Sequence, residues 1–189
     1  DDEIEGSYDR PDGLSHFHIP YCEEQASIAA GLLDPVKVYL TEYPLTSTNL
    51  KAQASAEFIR QLNSGALLFC FFGHGAGFQL CHEQILHITN TVPSVNNGTR
   101  SPMAFYGSCG VGRFDDTRYE AIAEELVRKE GGAIADVGAS KVTGAGGNRN
   151  FAMTMFQRLM DYPDEPIGPA YRPGFMTGGM VQYHLCGDP

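Results

Sequence analysis

Seven consecutive apolar residues, ALLFCFF at 66–72, run straight into Gly-His-Gly. A strand with one wet face alternates apolar and polar side chains, so an unbroken run of this length reads as a strand covered on both faces, central in a parallel sheet. A second run, MAFYGS at 103–108, stops in the same way at Cys109, again among small residues. In an open parallel sheet the carboxyl ends of the strands carry the chemistry, so the chain is read as an α/β fold that brings His74 and Cys109 to one edge.

The rest of the pattern agrees with that class. EEQASIAAGLL (23–33) has Ile28, Leu32 and Leu33 at helical spacing, and VKVYL (36–40) reads as a strand. Residues 49–65 read as a helix opened by Thr48 or Asn49 as N-cap and stopped by Gly65. After ALLFCFF and a loop containing PSVNNGTRSP come strand 103–108, helix 117–130 with Gly131-Gly132 as its stop, and strand 133–138. A glycine-rich loop, helix 148–160, a Pro/Gly loop and a last short strand at VQYHL complete the order. Strands alternating with helices predict a mostly parallel sheet flanked by helices on both faces.

Composition narrows the function classes. With 189 residues, 42% of them hydrophobic, residues 1–189 suit one domain with a sizeable core. A formal net charge of −10 and no Lys/Arg cluster set nucleic acid aside as a partner. No stretch approaches the roughly 20 apolar residues of a membrane helix. The chain opens on DDEIEG and closes on HLCGDP, and is read as a piece of a longer polypeptide, with contacts to the remainder or to other chains. Five cysteines (Cys22, Cys70, Cys81, Cys109, Cys186) without CxxC spacing suggest neither a disulfide framework nor a zinc knuckle, and no cofactor is required.

If strands 66–72 and 103–108 are neighbours about 4.8 Å apart, His74 and Cys109 face one scissile bond. The glycines around them, at 73, 75, 77, 107 and 110, let the backbone turn and approach a ligand. Backbone N–H groups of Gly75 and Cys109 would then form an oxyanion hole. A free thiol titrates near about 8.5, so such a site must favour the thiolate, with His74 as proton donor to the leaving amine. A structural thiol and a surface histidine are the plainer readings of each residue alone; two apolar runs each ending in glycine-set chemistry favour catalysis.

LLFCFFGHGAG followed by MAFYGSCGVGRFDD resembles the gingipain family of cysteine peptidases, whose fold is caspase-like. GGAIADVGAS, NRNFAMTMFQRLM, YHLCGDP and the upstream CEEQASIAAGLL and VKVYLTEY extend the resemblance over nearly the whole chain. It implies a cysteine endopeptidase with Cys109 as nucleophile and His74 as catalytic histidine. Asp2, or else Asp1, falls where the family has an acid that orients the histidine, although a solvated acidic terminus is an equal reading. HEQIL and GRFDD look more like the branch that serves as sortase of the type IX secretion system, a transpeptidase sharing the same acyl-enzyme chemistry. The acid that gives one gingipain its arginine preference would align near His18 or Ile19, so arginine specificity is not carried over. Ser140, Lys141, Gly107 and Ser108 are the candidate substrate-pocket residues, and Lys141 would favour acidic or polar partners. The resemblance further implies a protein or peptide substrate, an extracellular or cell-surface location, and room for structural calcium.

Other signals have plainer explanations. His16, His18 and Cys22 lack a further ligand at metal spacing, and Cys81-His82 reads as packing. Asn97-Gly98-Thr99 fits a glycosylation sequon but reads better as a turn, and GAGGN (144–148) lacks the Lys-Ser/Thr of a phosphate loop. An esterase with Cys109, Asp136 and His184 in hydrolase order fails because GSCGV is not a nucleophile elbow, which leaves His184 as a packed residue. A catalytically silent adhesion or scaffold module of the same fold is the remaining alternative.

Overall fold

The computed structural model describes residues 18–178 and 182–187. Asp1, Asp2 and His16 therefore lie outside the described residues. Helix α1 (His18–Ala29) leads through an irregular stretch to α2 (Ala52–Ser64) and strand β1 (Leu68–Phe72). Short strands β2 (Gly75–Ala76), β3 (Gln79–Leu80) and β4 (Leu86–His87) form a small antiparallel sheet of their own. Then come β5 (Met103–Gly107), α3 (Ile122–Arg128), β6 (Ala135–Ala139), α4 (Ala145–Asp161), α5 (Ile167–Gly178) and β7 (Tyr183–Gly187).

The main sheet has the order β1-β5-β6-β7, with the first three parallel and β7 antiparallel to β6. Two helical layers explain the unbroken apolar runs. On one face, Phe71, Ala104 and Tyr106 pack with Phe58 and Leu62 of α2 and Ile122, Ala123 and Leu126 of α3. On the other, Phe72, Met103, Phe105 and Val137 pack with Phe151, Met155 and Phe156 of α4 and with Tyr183. Consecutive residues of β5 thus enter opposite cores, and all five are buried. Phe105 stacks on Tyr183 at 5.6 Å and on Phe151 at 5.7 Å, so aromatic packing joins β5, β7 and α4.

Several elements differ from the sequence reading. β1 is parallel and apolar as expected, but among the described residues it lies at the edge of the sheet rather than its centre. Beside it opens a cavity of about 470 Å³ lined by β1, α1, α2 and residues 34–40. VKVYL is no strand: it has no ladder partner among the described residues, Val36 is exposed, and Lys37 and Tyr39 hydrogen-bond the Glu23 carboxylate on α1. Helix α1 begins five residues earlier than the apolar spacing suggested and stops before Gly31. Neither Thr48 nor Asn49 caps α2, whose N-cap is Lys51, whereas Gly65 ends it with φ 88° as read. Helix α3 is shorter than expected, beginning where the Glu124 carboxylate accepts the Ala121 N–H. Helix α5 occupies the expected Pro/Gly loop, with Ala170 buried in the α4 core despite Pro169. Asn97 is a turn residue as read, with Nδ2 donating to Gly132 O and Gly98 at φ 65°.

Candidate active site

The ladder between β1 and β5 sets the height of both reactive residues. Phe72 lies opposite Gly107, and each strand then continues two residues to His74 and to Cys109. The ladder extends one step further, with Gly73 N–H donating to Gly107 O at 3.5 Å. Beyond it the backbone bends: Ser108 N–H returns to Tyr106 O at 2.8 Å, an i to i+2 closure that turns Cys109 out of the strand line. Gly110, at φ 65°, donates its N–H to Lys141 O, and Gly112 donates to Ala139 O, which fastens the Cys109 loop to the end of β6.

The two loops touch closely. A methyl on Gly75 would stand 2.3 Å from Ser108 Oγ and 3.3 Å from Cys109 O, so only glycine allows the His74 loop to lie this near. Cys81 N–H donates to His74 O, which makes Gly75 and Leu80 a non-hydrogen-bonded pair of the β2–β3 hairpin. The Gly75 N–H therefore points away from its hairpin partner. Cys109 N–H has no backbone acceptor among the described residues. These are the two amides assigned to the oxyanion hole from sequence.

The sulfur itself is held from the other flank. Thr143 N–H donates to Cys109 Sγ at 3.4 Å, and the thiol faces Thr143 O at 3.6 Å. The exposed His74 ring lies edge-on to His18 at 6.0 Å and tilted against His82 at 5.9 Å. His82 was read as packing, but it is exposed and flanks His74, while its neighbour Cys81 is buried. Sequence reasoning did not single out Thr143; its position four residues past the end of β6, beside the glycine loop, was the available signal.

Burial acts on three of the other thiols. It raises the Cys81 thiol to about 12, raises Cys70 well above its ordinary value and raises Cys186 as well. Such thiols are poor nucleophiles at neutral pH. Cys109 is set apart by its place just past a strand end, beside an imidazole-bearing loop.

The remaining pocket residues are placed as follows. Gly107 and Ser108 are buried; a side chain at 107 would meet the Phe72 ring at 2.4 Å, and Ser108 Oγ faces Gly75 without a hydrogen-bond partner among the described residues. The Ser140 hydroxyl bonds Gln182 O and sits 3.0 Å from His184 Nε2. Burial lowers the His184 pKa, opposed by the nearby Asp115, and Phe114 packs edge-on against its ring at 4.7 Å. Lys141 is exposed, with Nζ 3.9 Å from Asp115. Asp136 lies buried in β6, paired with Cys186 of β7, away from His184 and so in no hydrolase-like triad. Among the described residues no three His, Cys, Asp or Glu side chains are grouped to hold a metal, and no helix is long and apolar enough to cross a membrane.

The model of peptidase family C25 matches residues 6–189. Gingipain R (RGPB), an Arg-specific cysteine proteinase, superposes with a TM-score of 0.74 at 20% identity, covering 90% of this chain and 41% of the gingipain chain. The complex of Porphyromonas gingivalis RgpB pro- and mature domains gives 0.63 at 20% identity, over 71% of this chain and 36% of that one. A further structure, described as a protease, gives 0.56 at 16% identity over 68% and 36%. At these identities the likeness is one of fold, the caspase-like fold expected above. This chain spans 36% to 41% of the length of these solved chains. No curated protein sequence matches it.

Proposed function

Since this chain belongs to peptidase family C25, we propose that it is the part of a cysteine endopeptidase that carries the nucleophile and the catalytic histidine. The observation that carries this reading is the shared height of His74 and Cys109, two residues past the paired positions Phe72 and Gly107. Cys109 gives its proton to His74 and attacks the scissile carbonyl carbon. The carbonyl oxygen takes up negative charge between the Gly75 and Cys109 N–H groups, where prepositioned donors need no reorganisation. As the C–N bond breaks, His74 returns the proton to the leaving amine, and a thioester remains on Cys109. Water then adds to the thioester, with His74 accepting its proton. The C–S bond breaks, and the thiol regains a proton.

Around this centre we assign Asp2, or else Asp1, to orienting His74, on the family resemblance alone. The acyl side of the substrate lies toward the 140–144 loop, with Lys141 at its rim and Gly107, Ser108 and Ser140 as supporting walls. Action outside the cell or at its surface rests on the same resemblance.

The test is digestion of a mixed-sequence peptide library by the full polypeptide, with cut sites read by mass spectrometry. Wild type is expected to cut and Cys109→Ala to be inactive, while His74→Ala loses about 100-fold or more, the scale of general acid–base catalysis. Cleavage unaffected by Cys109→Ala would overturn the assignment.

A further inference from the structure

We propose that Phe78 and Tyr119 form a subsite for an aromatic or large aliphatic side chain on the leaving-group side of the scissile bond. The proposal rests on the peptidase reading of His74 and Cys109 and extends it to the half of the substrate that departs first.

Direction follows from the chemistry. The sulfur of Cys109 is held on one flank by Thr143, in the loop assigned to the acyl half. On the opposite flank runs the β2–β3 hairpin, which begins directly after His74. His74 must reach the nitrogen that leaves, so the departing segment passes over that hairpin. Its turn lies against the nucleophile loop: a methyl on Gly77 would stand 3.4 Å from Gly110 O, one residue beyond Cys109.

At this spot the surface is aromatic. The Tyr119 ring occupies the space over Gly77, where an added methyl would meet its Cε2 at 2.8 Å. Phe78, 37% exposed at the hairpin turn, meets Tyr119 edge-on at 5.7 Å and His87 at 6.0 Å. The rings therefore hold one another in place, and a ligand side chain stacking on them meets surface that is already ordered. The adjacent cation does not make this an anion site. Arg118 lies over Tyr119 at 5.6 Å, but its guanidinium is bound to both Asp116 carboxylate oxygens, at 2.8 and 2.6 Å. An extended peptide advances about 3.3–3.6 Å per residue, so the first or second residue after the cut reaches the rings.

The test uses two peptide series with one acyl half, chosen from the library cuts, and either Gly or Phe at the two positions after the bond. A second assay lets glycinamide and phenylalaninamide compete with water for the acyl-enzyme, which reports on the leaving side alone. Wild type is expected to favour Phe by about tenfold in both assays, the worth of one good aromatic contact. Phe78→Ala is expected to bring Phe down to the Gly level; Phe78→Gln, which keeps bulk without the ring, does the same if the alanine variant melts early. Tyr119→Phe retains the preference. Cys109-dependent turnover with no preference for Phe, or a preference that survives both Phe78 variants, overturns the subsite while leaving the peptidase reading intact. Absence of any Cys109-dependent turnover by the folded protein overturns both.

Discussion

At the scale of single residues, the site depends as much on missing side chains as on reactive ones. Gly75 separates the two loops, and a methyl there would press on Ser108 Oγ at 2.3 Å and Val111 Cγ2 at 2.9 Å. Gly75→Ala is therefore expected to cost about 1–3 kcal/mol of stability by overpacking. It should also lower turnover more than substrate affinity, because the displaced groups are the Cys109 loop and the amide proposed for the oxyanion hole; urea melts and a split of kcat from KM check both. Turnover equal to wild type would remove Gly75 from the machinery. His74, Cys109 and their glycines were legible in sequence, since a reactive side chain closing an apolar run marks a strand end. The hold of Thr143 on the sulfur was not legible, because it depends on how a loop 34 residues downstream folds back. Nor was the flanking of His74 by His18 and His82, which come from different elements.

At the scale of elements, the strands buried on both faces were the readable part, because position in the sheet dictates their composition. VKVYL misled because strand-like alternation alone does not make a strand: the segment lines a cavity beside the β1 edge, and its Lys37 and Tyr39 side chains are held by Glu23 of α1. Helix α5 was hidden by its prolines, with tertiary packing on α4 outweighing weak local propensity. The small β2–β4 sheet, built from pairs of residues, leaves no periodicity to read. Strand β6 carries one conflict with its surroundings. Asp136 is fully buried, neither carboxylate oxygen has a hydrogen-bond partner among the described residues, and burial raises its pKa well above the ordinary value, opposed by the nearby Tyr106 hydroxyl. In the unfolded chain this group ionises near about 3.9, whereas the folded chain keeps it neutral to higher pH. The folded state thus binds more protons over that window, and the contribution of Asp136 to stability, complete below about 3.9, is lost as pH rises toward the folded pKa. Asp136→Asn cannot ionise. Its stability relative to wild type is expected to be greater at pH 8 than at pH 4, measured by urea unfolding; a difference independent of pH would show that the group is not held neutral.

At the scale of the whole molecule, the four strands of the main sheet among the described residues, set between two helical layers, bring one thiol and one imidazole to the same edge and leave the other four cysteines elsewhere. Family membership covers residues 6–189, so the fold and the candidate dyad belong to one unit, although the matched part makes up only 36% to 41% of the solved chains. Five cysteines make the central claim open to a direct discrimination. The measurement is peptide mapping after the full polypeptide reacts with an acyloxymethyl-ketone library that varies the residue before the warhead. The account predicts a single adduct on Cys109, absent in Cys109→Ala and strongly slowed in His74→Ala. An adduct on another cysteine, or none on a protein shown to be folded, would contradict it and favour a silent module of the same fold.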